Sequence, residues 1–206
     1  MTYGVNAPLG LQACSYGLNA PWTGAVQIYN IPIVSPTVGY ATNLFLGDLV
    51  TFNNGFLNKY TPGGGLATAP IGVYWGCTFT DGSGVVQIQK YWPASQSIMA
   101  GSYPIANVIT DPNAIFTIQL SNTLAWSNLD KNADVTFATP GNPLTGESGM
   151  MLDTTTVATN ATLPLHIIDF DPIPGNVPNP GGTSIQYANV RVKMNATSIN
   201  AGAQGV

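Results

Sequence analysis

The sequence predicts an all-β protein, a barrel or sandwich with an extended N-terminal arm, divisible into two small β subdomains. Three observations carry that expectation. Runs rich in β-branched and aromatic residues recur at intervals of roughly 8–12 residues between turn signals. Twenty-three glycines and sixteen prolines in 206 residues interrupt nearly every window in which a helix would form. No stretch of about eleven residues sustains the 3.6-residue apolar period of a helix, although residues 121–131 have room for one or two turns. Hydrophobic residues make up 45% of the chain, which excludes a disordered one.

Residues 1–36 carry no charge, and Pro8, Pro21, Pro32 and Pro36 break them at intervals. Tyr3-Gly4-Val5-Asn6-Ala7-Pro8 returns as Tyr16-Gly17-Leu18-Asn19-Ala20-Pro21. Two copies fall short of the three or so repeats that a solenoid requires. The stretch reads as an arm laid on a neighbouring subunit, with Tyr3, Pro8, Tyr16, Pro21 and Trp22 as interface anchors. The alternatives are a coincidence of composition and a segment folded back over its own domain.

Residues 37–100 form the first β region. Residues 49–52 and 56–60 flank Asn53-Asn54-Gly55, and Asn-Gly between β-prone runs marks a hairpin because both turn positions need φ > 0. Residues 71–79 form a buried strand whose glycines mark a bend or a close approach of another backbone. The turn Asp81-Gly82-Ser83-Gly84 leads into residues 85–91, with Val86 and Ile88 expected inward and Gln87 and Gln89 outward. Residues 101–195 form the second β region. Residues 104–110 and 114–120 flank Asp111-Pro112-Asn113, 134–138 is a short strand, and 162–170 and 187–194 are longer ones. His166 is expected to share a face with Ile168 and Phe170. Residues 171–182 are a loop, and 196–206 a tail.

Charge narrows the function. Only 7% of residues are charged, against about 25% in ordinary soluble domains. Such domains use charge to stay apart, so a chain that omits it is expected to lie against other protein. Five cations and a net charge of −4 do not make the clustered basic face that nucleic acid requires. No membrane-length apolar run and no signal peptide is present, so a protein made in the cytoplasm that stays there or leaves in a particle is expected. Cys14 and Cys77 have neither a disulfide framework nor metal-ligand spacing around them.

No catalytic constellation stands out, and neither an enzyme nor a cofactor is expected. His166 is the sole histidine and reads as a packed residue. Asp169 and Asp171 offer a weak oxygen pair for a cation, or simply a turn start before Pro172. Gly63-Gly64-Gly65 lacks the Lys-Ser/Thr of a phosphate loop. Trp22, Trp75, Trp92 and Trp126 suit a sugar-stacking surface, but a core or interface position is favoured.

The order Asn43-Leu44-Phe45-Leu46-Gly47-Asp48-Leu49-Val50, an Asn-Gly hairpin, then Ile71-Gly72-Val73-Tyr74-Trp75-Gly76-Cys77 resembles the head decoration barrels of tailed phages. Tyr91-Trp92-Pro93-Ala94, Asp111 to Gln119, Leu144 to Gly149 and Ala161 to Leu165 are similar to stretches of phage structural proteins of this length. The second half, of comparable size, departs from a one-barrel pattern. The resemblance implies a virion subunit on the capsid exterior that cements the assembled head, with the major capsid protein and its own copies, as a homotrimer, for partners. A tail, neck or baseplate component and a carbohydrate-binding adhesin module are the competing classes.

Overall fold

The computed structural model describes residues 4–16, 20–21, 23–63, 69–173, 175–176, 178 and 181–195. Along these run sixteen strands: β1 (Gln12–Tyr16), β2 (Ala20–Pro21), β3 (Gln27–Asn30), β4 (Ile33–Ser35), β5 (Val38–Gly39), β6 (Leu49–Asn53), β7 (Phe56–Lys59), β8 (Gly72–Thr80), β9 (Val86–Gln89), β10 (Ile105–Ile109), β11 (Ala114–Gln119), β12 (Asn132–Ala133), β13 (Val135–Thr136), β14 (Met151–Leu152), β15 (Leu165–Phe170) and β16 (Asn189–Met194). A single 3-10 turn at Trp126–Asn128 occupies the window that had room for helix. The fold is all-β, and its named strand pairs are antiparallel.

Two six-stranded sheets organise it. Sheet A has the order β12-β15-β16-β11-β1-β2, and sheet B the order β3-β10-β8-β6-β7 with β9 added to β8. Sheet B is buried on both sides at one end. One face sends Leu49, Val73 and Ile109 into a core shared with Phe116, Ile118, Leu165, Val190 and Val192 of sheet A. The opposite face sends Val50, Tyr74, Cys77, Phe79, Ala106 and Val108 into a second core closed by Ile31, Leu44, Trp92 and Ile98. This double burial explains why β8 reads as a continuous apolar run rather than an alternating one. The Asn54-Gly55 turn between β6 and β7 has φ of 52° and 82°, the left-handed pair the hairpin demands.

Several expectations change. The first 36 residues are extended, but β1 is seated on β11 through Gln12↔Thr117 and Tyr16↔Ala114, and β3 is seated on β10 through Tyr29↔Ala106. Over its described residues this segment is therefore built into the chain's own sheets. Sheet B also runs across position 100/101, because β10 lies between β3 and β8. The two cores are thus the two faces of one sheet. In β15 a register shift between Ile167 and Asp169 breaks the alternation. It turns Phe170 into the core with Leu165 and Ile167, off the half-exposed face of His166. The tail 196–206 lies outside the described residues.

Candidate interaction surface

The face of sheet B that packs against sheet A is longer than its cover. In β8 the register slips at Trp75, where Asn107↔Gly76 is followed by Val108↔Tyr74. Beyond that bulge the same face continues without sheet A over it. Its rows read Ile28, Asn107, Gly76, then Asn30, Ile105, Thr78, Ile88, then Thr80 and Val86. Ile28 is 63% exposed, Val86 63% and Ile88 81%. This reverses the inward placement expected of Val86 and Ile88: the half-buried residues of β9 are Gln87 and Gln89. Gln87 donates its side-chain amide to Asp81 Oδ2 at 2.8 Å, and Asp81 also accepts the Ser83 and Val85 amides, which fixes the turn before β9.

None of these nine positions carries an ionisable side chain. The outward face of sheet A differs, since β16 places Arg191 and Lys193 there and Arg191 pairs with Asp171 at 3.2 Å. Large apolar side chains left in water on neighbouring strands make this face a candidate interaction surface. Full burial of each exposed Val or Ile is worth about 1.5–3 kcal/mol.

The start of β6 is held by Asp48, which is wholly buried. Its carboxylate meets Lys59 Nζ at 2.9 Å, accepts the Phe45 amide at 2.9 Å and accepts the Ser148 hydroxyl. The Tyr74 amide donates to its carbonyl at 2.8 Å. Lys59 also lies 4.4 Å from the Phe137 ring centroid. Through its carboxylate and its backbone carbonyl, this one residue ties β7, the 45–50 segment, β8 and the 146–150 strip together. Asp134 has a similar role, accepting the Tyr60 hydroxyl at 3.0 Å and the amides of Gly63 and Val135 at 2.8 Å.

Of the residues proposed as anchors, Tyr3 and Trp22 lie outside the described residues. Tyr16 ends β1, Pro8 is half-buried, and Pro21 is exposed in the edge strand β2. The β1–β2 pairing sets Tyr16 and Pro21 on neighbouring strands beside the start of β11, whereas Pro8 follows Ala7, whose amide donates to Gln119 at the other end of β11. The surface on β9 was missed because alternation reveals two faces without telling which is covered. The remaining chemical candidates separate: Asp171 pairs with Arg191, and His166 meets Asp130 at 3.2 Å and Asn132 at 2.9 Å. Among the described residues no three His, Cys, Asp or Glu side chains group around a cation-sized space. Trp92 is fully buried, and Trp75 and Trp126 pack on the sheet A core.

Buried proton donors give the fold a pH signature. Burial, followed by the Asp134 charge, raises the Tyr60 hydroxyl. Burial raises Tyr74 well above its usual range, and pushes the Cys77 thiol up to about 11. Each group keeps its proton in the fold at a pH where the unfolded chain has lost it. Their stabilisation is therefore complete below the ordinary values of 9.0 and 10.0, and is lost progressively as pH rises from those values through the raised ones of the fold. The expected result is a melting temperature nearly constant from neutral pH to about 8.5 and falling steeply beyond, each group contributing up to about 1.4 kcal/mol per pH unit. Calorimetry across that range checks it.

Comparison with protein-family models, with curated proteins and with solved structures finds no match for this chain.

Proposed function

We propose that this protein is a structural subunit of a phage particle, a decoration or cement protein that binds the assembled head and stabilises it. The observation that carries this reading is the uncovered half of sheet B, where Ile28, Val86 and Ile88 stand in water on a face whose strand positions carry no charge and that Lys90 borders at one end. A surface of that kind loses apolar exposure when it meets another protein, and its contacts depend little on salt. The sequence resemblance implies the partner class, the major capsid protein, and a place on the capsid exterior. A ligand that binds the assembled shell and not its free subunits stabilises the shell by mass action. Many copies, each contributing a few kcal/mol, resist internal pressure without any chemistry.

Heating virions with and without the protein tests this. The expected result is DNA release at a clearly lower temperature from particles that lack it, and recovery when purified protein is added back. Equal release temperatures would overturn the cement role.

A further inference from the structure

Strand β9 is an open edge, and we propose that it pairs antiparallel with β9 of a second copy across a two-fold axis, joining two sheets B into one. The inference goes beyond the capsid reading and stands independently of it.

The ladder shows which groups are free. The Asp81 amide donates to the Val85 carbonyl at 2.9 Å, and the register runs on through Thr80↔Val86, Phe79↔Gln87, Thr78↔Ile88 and Cys77↔Gln89. Hydrogen-bonded pairs alternate along an antiparallel ladder. Val85, Gln87 and Gln89 therefore turn their backbone groups toward β8, while Val86 and Ile88 turn theirs away from it. The same two residues have the exposed side chains. Edge strands are ordinarily protected by an inward charge, a proline, a bulge or a covering loop. Residues 85–89 contain no charge and no proline, and β9 pairs with β8 without a register shift. The loop at 143–146 flanks Lys90 and Tyr91, so the open stretch ends there.

Both the occupant and the register follow from charge and parity. Free backbone groups on Val86 and Ile88 pair fully in one symmetric register, with Val86 opposite Ile88 of the second copy and Gln87 opposite Gln87 at the axis. Four β-branched side chains then meet on one face, and no like charges oppose each other. Lys90 falls opposite Gly84 of the second copy. Gly84 closes the turn on Asp81, its amide bonded to the Asp81 carbonyl at 2.9 Å. The register is self-complementary, since the same two residues supply the free backbone groups and the apolar side chains on both copies. Because the axis is perpendicular to the sheet, both uncovered faces point the same way and the uncharged surface doubles.

Sedimentation of the purified full chain tests the pairing. Wild type is expected to form a dimer over the range up to about 100 µM. Ile88→Lys, at a side chain already in solvent, is expected to weaken that dimer at least tenfold while its melting temperature stays unchanged. In a Cys14→Ser background, Gln87→Cys is expected to close an intermolecular disulfide at least fivefold faster than Val86→Cys or Ile88→Cys. A wild type that stays monomeric at that concentration, a dimer that persists in Ile88→Lys, or faster closure at 86 or 88 would overturn the proposal.

Discussion

Replacing Asp48 with alanine is expected to cost about 3–5 kcal/mol, the largest loss of any polar substitution in this chain. The size follows from what is left behind. Lys59 would keep its charge in a largely enclosed site without its 2.9 Å partner, and the Phe45 amide and Ser148 hydroxyl would lose their acceptor. Breaking one side of a buried pair is costly because the other side stays buried. A second variant separates charge from packing. Asp48→Ala with Lys59→Met removes both charges, and is expected to recover about half of the loss because no unpaired ammonium remains. Urea denaturation of the two variants checks both values. Equal losses would mean that the ion pair contributes nothing beyond the neutral hydrogen bonds.

Gly72→Ala is expected to cost about 3 kcal/mol, a large value for one added methyl group. A β-carbon at this position would be driven into the Ile109 carbonyl oxygen and would meet Val108 Cγ1 at 2.7 Å. The obstacle is mostly backbone, so no rotamer change relieves it. Strand β10 would have to move off β8 where the sheet is buried on both faces. Gly55→Ala is the control, since its φ of 82° is left-handed, unlike that of Gly72, and no atom lies within 4 Å of the added carbon. It is expected to cost only about 1 kcal/mol, from backbone strain alone. Thermal melts of both variants compare crowding with strain.

Much of the architecture was legible because local chemistry dictated it. Asn54-Gly55 could form only a left-handed turn, and the apolar run from Ile71 to Phe79 could satisfy itself only between two layers. The glycines at 72 and 76 signalled close approach and a bend, and the structure places a carbonyl against one and a φ of 136° at the other. What sequence could not give was pairing over long separations. Gln12 finds Thr117 and Tyr29 finds Ala106 because those edges are free in the folded sheets, and nothing in residues 1–36 encodes that. Alternation also failed at bulges. One inserted residue near Ile168 reverses which side chains face the core, as the burial of Phe170 shows.

The outward placement of Val86 and Ile88 was illegible for a different reason. Their pattern is that of a half-buried strand, and the buried side is the one carrying Gln87 and Gln89. The core shared with sheet A does not extend to β9, so Val86 and Ile88 end in solvent. That mismatch is what directs the functional reading toward assembly.

The proposal that the uncovered half of sheet B binds the phage head is tested most directly by occupancy on the particle. Ile28 lies in β3, three strands from β9, so Ile28→Lys charges the face without touching the β9 edge. The variant should fold normally, because the side chain is already exposed. Mixed with particles stripped of the protein, it is expected to bind at least tenfold more weakly than wild type, about 1.4 kcal/mol or more of lost contact. Occupancy equal to wild type across the titration would contradict the claim and move the binding surface elsewhere on the chain.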